Sequence, residues 1–196
     1  MTMKKKPEVN QSRRRSFVAL AAGSTTALGA ALGVSGCQQQ GSSVNDDRQL
    51  QFPSLAAAEE ELARLAQAKQ LASGATWSWA QTLAHCAQSI EYSMTGFPQA
   101  KSALFQRTVG AAAIGVFAWR GRMTHNLADP IPGAPVLDAQ LDPAQALERL
   151  RASILGFRNW SGPLQPHFAY GALDKKAFEL AHAMHIANHL SAFRSA

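Results

Sequence analysis

The chain of 196 residues carries 19 basic and 13 acidic side chains, a net charge of +6, with 46% hydrophobic residues and two cysteines. Six of the basic residues and one acid fall in residues 1–36, so the remainder sets 13 bases against 12 acids and is nearly neutral. The excess that would suggest nucleic acid as a partner is confined to the N-terminus, and composition excludes a nucleic-acid-binding domain.

Lys4, Lys5 and Lys6 are followed by Arg14-Arg15-Ser16-Phe17-Val18, which resembles a twin-arginine export signal. An apolar run of about eighteen residues, Phe17 to Val34, comes next; Gly, Ser and Thr dilute it too far for a membrane span. It ends in Val34-Ser35-Gly36-Cys37, which resembles a lipobox, with small residues before the cysteine that would be acylated. The expectation is a twin-arginine-type lipoprotein signal peptide over 1–36, a lipidated Cys37 and polar tether over 37–53, and one domain over 54–196. That order implies a cell-envelope location with the membrane as partner, each acyl chain adding about 0.8 kcal/mol per buried methylene. Cys86 would then be the only other cysteine, so the domain must be stabilised by its core, and about 150 residues suffice for one.

Strong helix formers fill 54–72, with Ser54 placed to cap them. A second helix is predicted over 76–94, ending before Gly96 and Pro98, and a third, apolar and rich in small residues at 110–113, over 101–121. Residues 125–142 form a Pro/Gly-rich connection long enough to suggest a function of its own. Asp142, Pro143 and Gln145 then read as N-cap, N1 and N3 of a helix whose core stripe is Leu147, Leu150, Ile154 and Phe157. Asp174 caps a last helix expected to run to about Phe193. No stretch alternates with period two, so the predicted fold class is all-α.

Three of the six histidines lie in the last helix, in "KAFELAHAMHIANHLSAF". At about 100° per residue, His182, His185 and His189 project from one strip roughly 60° wide, together with Phe178. His185 and His189 are four apart, the spacing that brings two imidazoles side by side for metal chelation. In the second helix His85 lies off the apolar stripe of Trp79, Leu83, Cys86, Ile90 and Met94, on a strip shared with Trp77, Gln81, Gln88 and Tyr92. Periodicity leaves it either a surface residue or part of a polar pocket. Cys86 reads as a buried structural thiol rather than a nucleophile.

Trp77-Ser78 with His85 seven residues beyond, and His185-x-x-x-His189 in the last helix, resemble the DinB-like superfamily of metal-binding four-helix bundles. Residues 167–193 are similar to its branch known as domain-of-unknown-function family 1569, in which a His-Pro-x-x-Gly turn precedes the histidine helix. The resemblance implies a DinB-like four-helix bundle with an extra helix and a long Pro/Gly loop in the middle connection. It also implies a divalent transition metal (Zn, Ni or Fe) on His85, His185 and His189, and a small-molecule substrate for a metal-dependent transferase or hydrolase. His182 and His167 are then the spare groups, candidates for acid/base work. The chain departs from the pattern at Phe168, where relatives have proline, at Asn188, where they often have histidine, and at Ala192, where many have glutamine. A non-enzymatic metal-binding or structural module tethered to the membrane is the alternative.

Overall fold

The computed structural model describes residues 47–196; the expected export arginines, Arg14 and Arg15, and the expected lipidation site, Cys37, lie outside them. The chain is mostly helical, as the absence of period-two alternation predicts. Its helices are α1 (Leu55–Ala66), α2 (Trp79–Thr95), α3 (Ala103–Phe105), α4 (Ala111–Arg120), α5 (Pro143–Asn159) and α6 (Lys175–Leu190).

Each long helix starts on a side chain that accepts an otherwise orphaned backbone N–H. Ser54 accepts from Ala57, Asp142 from Gln145 and Asp174 from Ala177. Ser78 accepts from Gln81, whose own side chain bonds back to the Ser78 N–H in a reciprocal capping box. The helices are shorter than predicted at several ends. Beyond Ala66 the chain turns and Leu71–Ser73 forms a strand, β1; after Leu190, Phe193–Ser195 forms β2 and pairs with it antiparallel, Ser73 opposite Phe193. Strands of three residues are too short to display alternation, which is why the sequence shows neither, its predicted helices ending at 72 and at about Phe193.

One core joins α1, α2, α5 and α6. α2 packs mainly on α5 and also against α6, which packs on α1. Leu55, Leu62 and Leu65 meet Leu83 and Ile90, Leu150, Ile154 and Phe157, and Phe178, Ile186 and Leu190, all nearly or wholly buried. Phe193 closes the core from β2, edge-on to Trp79 at 5.2 Å. Cys86 is fully buried and its thiol pKa is pushed up by burial, so it is a packing residue. Across α2 and α5, Arg149 donates to both carboxylate oxygens of Glu91 and Ser153 adds a third bond at 2.9 Å.

The third predicted helix is present but built differently. Between α3 and α4, Gln106–Gly110 widens into a π-helical turn. Of residues 103–120 only Gly110 is buried, while Leu104 and Trp119 are 75% and 85% exposed. No described helix is long and apolar enough to cross a membrane.

The π-helical turn matters for what it holds. The Gln106 side chain donates to the carbonyls of His167 and Phe168, and a β-carbon at Gly110 would lie 2.0 Å from the Ala169 carbonyl oxygen. The turn it grips, 167–171, is closed by two backbone bonds between His167 and Gly171, with Gly171 in the left-handed region at φ 75°. It delivers His167 to the cavity described next.

Candidate metal centre

The capping box starts α2 at a register that turns His85 inward, towards α6. His85 is 3% exposed and His189 1%, while His185 between them is half-buried. One nitrogen from each of His85, His185 and His189 falls within 4.8 Å of the others. His85 Nε2 and His185 Nε2 are 3.2 Å apart. Trp77, just before the cap, roofs the group: its ring centroid lies 4.8 Å from that of His85 and it stacks on His189 at 6.0 Å.

Burial holds all three imidazoles neutral. The pKa of His85 falls to about 3, through loss of solvent first and the neighbouring His125 second. His185 and His189 lie well below the ordinary histidine value, through burial and then through one another and their histidine neighbours. A neutral imidazole offers a lone pair without having to release a proton first.

The cluster borders a cavity of about 340 Å³. His85, His185, His167 and His182 line it, and apolar surface comes from Met123, Ile131, Phe168 and Tyr170. Lys101 also borders the cavity, and Asp129 is its one carboxylate, bonded at 2.7 Å by the Asn126 amide.

A family model described as protein of unknown function (DUF1569) matches residues 44–196. The chain belongs to that family. No curated protein and no solved structure matches it.

The three histidines of this DUF1569 domain suit a small divalent cation on two counts. Ligand nitrogens about 2.0–2.1 Å from a tetrahedral metal are about 3.3 Å apart, close to the 3.2 Å between His85 and His185. His189 Nε2 is sealed from solvent with no hydrogen-bond partner, a costly state that a metal bond would relieve. Imidazole donors fit Zn²⁺, Ni²⁺ or Fe²⁺. One count goes the other way. His85 Nδ1 is also buried without a partner, whereas a ligating histidine almost always donates its second ring N–H.

The structure brings together the three residues that the family resemblance implies, and a fourth that the sequence did not single out lies against them. His125, in the Pro/Gly-rich connection, packs its ring 5.1 Å from those of both His185 and His189. Its Nδ1 lies 2.9 Å from the Asn126 carbonyl, which can only accept, so Nδ1 carries the proton and Nε2 keeps the lone pair. That tautomer is the one common among metal-bound histidines. The length of the connection was the signal available; nothing in its pattern singles out the residue.

The two spare histidines are near but apart from the cluster. His182 lies between Phe157 and Phe178, and His167 stacks on Tyr170 at 4.2 Å. Burial pushes both to about 3, so each is neutral near pH 7. Neither can act as a standing proton donor in the imidazolium form.

Proposed function

We propose that the domain is a DinB-like four-helix bundle that binds a divalent transition metal through His85, His185 and His189 and works on a small molecule held in the adjoining cavity. The observation that carries this reading is the convergence of three neutral imidazole nitrogens, two of them from His85 and His185 that line a cavity of about 340 Å³. Bound there, a metal would supply a Lewis acid beside a partly apolar chamber, the chemistry of a metal-dependent transferase or hydrolase. The protein's own part is to present lone pairs, to hold His125 alongside, and to line the chamber with surface that displaces water. We further read residues 1–36 as a twin-arginine lipoprotein signal and Cys37 as the lipidated residue, which puts this chemistry in the cell envelope, facing the periplasm or the exterior.

Metal analysis of the purified chain tests the reading. About one equivalent of Zn, Ni or Fe is expected, lost in both His85→Ala and His185→Ala while helicity is retained. A chain that stays metal-free after reconstitution with each ion would sink it. The unpartnered Nδ1 of His85 favours a second reading, a metal-binding or structural module without catalysis; there the chain would turn over no substrate, with or without metal.

A further inference from the structure

Two ring nitrogens in the cavity have their protonation fixed by the protein's own hydrogen bonds. His167 Nδ1 accepts from the backbone N–H groups of Ala169 at 3.1 Å and Tyr170 at 3.2 Å. It therefore bears no proton, and in the neutral ring the proton sits on Nε2. At His182 the reasoning runs through Ser93. The Ser93 hydroxyl has one proton and spends it on the Ile90 carbonyl, 2.6 Å away, so its oxygen can only accept from His182 Nε2 at 3.1 Å. His182 is thereby protonated on Nε2 and carries its lone pair on Nδ1.

His167 Nε2–H and the His182 Nδ1 lone pair are the two atoms left over. Neither has a hydrogen-bond partner among the described residues, and neither is sealed from solvent as His85 Nδ1 and His189 Nε2 are. Both rings border the cavity, and a charge on one would oppose a charge on the other. The protein thus presents one neutral donor and one neutral acceptor to the same cavity, along with the apolar surfaces of Phe168, Tyr170 and Met123.

We propose that His167 and His182 form a subsite for an uncharged hydrogen-bonding group, an amide or alcohol on an apolar body, and so set the substrate class of the cavity. Such a group accepts from His167 and donates to His182. A carboxylate has no proton to give and would set its charge against the His182 lone pair. An ammonium has no lone pair and would meet the His167 N–H head-on. As a substrate assignment this rests on the cavity's being a small-molecule site next to the metal face; as a binding preference it does not require the metal. Lys101, which also borders the cavity, makes the opposite demand, for an anion, and so supplies the competing outcome.

The test is a fluorine NMR titration of the full chain with 4-fluorobenzamide, 4-fluorobenzoate and 4-fluorobenzylamine, three ligands of one shape and three charges. Each is run once with chelator and once after one equivalent of Zn²⁺. The amide is expected to bind at least about tenfold tighter than either ion in both conditions. Two substitutions refine this while keeping the structural bonds. His167→Asn retains an acceptor for the two backbone N–H groups and removes the Nε2 donor. His182→Gln keeps a donor for Ser93 and removes the lone pair at Nδ1. Each should weaken amide binding about two- to tenfold and narrow its margin over the ions. Benzoate binding as tightly as the amide, no binding of any of the three, or amide affinity unmoved in both correctly folded variants would overturn the proposal. A chain that refuses zinc yet prefers the amide would sink the metal reading and leave this one standing.

Discussion

His182 has 2% of its surface exposed, bonded to Ser93, and burial holds its pKa near 3. In the unfolded chain the same ring titrates at about 6.5. Between these values the unfolded state binds more protons than the native state, so stability is full above about pH 6.5 and is lost as pH falls from there towards 3. One such histidine contributes a slope of about 1.4 kcal/mol per pH unit. His167 acts in the same direction. Urea unfolding in chelator should therefore show stability dropping steeply from pH 7 to 5. In His182→Gln the drop should be shallower by about one proton; an unchanged slope would mean that the ring does not stay neutral in the fold. That His182 shares a strip with His185 and His189 is visible in the sequence, because helical spacing alone dictates it. That it bonds to Ser93 and packs on phenylalanines is not, since these contacts depend on how α2 and α5 approach α6. His85 makes the same point. It is off the apolar stripe by pattern, yet it is buried, because the surface it faces is another row of histidines rather than a hydrophobic layer.

Among the elements, the helix starts were the most legible. Ser54, Asp142 and Asp174 each cap where a small oxygen-bearing side chain precedes good helix formers, a signal of local physics that tertiary packing leaves intact. The segment from α3 to α4 was the least legible. Its residues are apolar on most sides, so periodicity gives no inward face, and the outcome is an exposed helix gripping one turn through Gln106 and Gly110. Two glycines in that segment make a controlled comparison. A β-carbon at Gly110 would overlap the Ala169 carbonyl, and that backbone has nowhere to go without moving the 167–171 turn. Gly110→Ala should cost about 1–3 kcal/mol and loosen His167. At Gly115 a β-carbon meets nothing within 4 Å, so Gly115→Ala should gain about 0.5–1 kcal/mol from helix propensity. Thermal melts of the two variants should move in opposite directions; equal shifts would mean that the turn is not held where the structure has it.

For the molecule as a whole, the division between a basic N-terminus and a nearly neutral domain is what the sequence made plainest, because charge counting needs no geometry. If Cys37 is the lipid-bearing residue, Cys37→Ser should move the protein from the membrane to the soluble fraction without changing its melting temperature, since two or three acyl chains supply the anchoring. A variant that stays with the membrane would point to another means of attachment. The grouping of three histidines was legible through family likeness, and the cavity beside them was not. Its surface comes from α2, α6, the 125–142 connection and the 167–171 turn, segments whose meeting is a property of the closed fold.

The first described residues and the last ones are stitched together. Arg48 N–H bonds the Ser191 carbonyl at 3.0 Å and its guanidinium the Leu190 carbonyl at 2.9 Å, Leu50 N–H reaches the Ser191 hydroxyl, and Ala196 N–H returns to Gln70. In mechanical terms, a pull on the chain ahead of residue 47 is shared: Arg48 passes part of it to α1 through its 2.6 Å ion pair with Glu61. The rest goes through the Arg48 and Leu50 bonds to the end of α6, one turn or less from His189. One branch of the domain's load path therefore runs through the footing of its histidine face, and whatever tugs on the one disturbs the other.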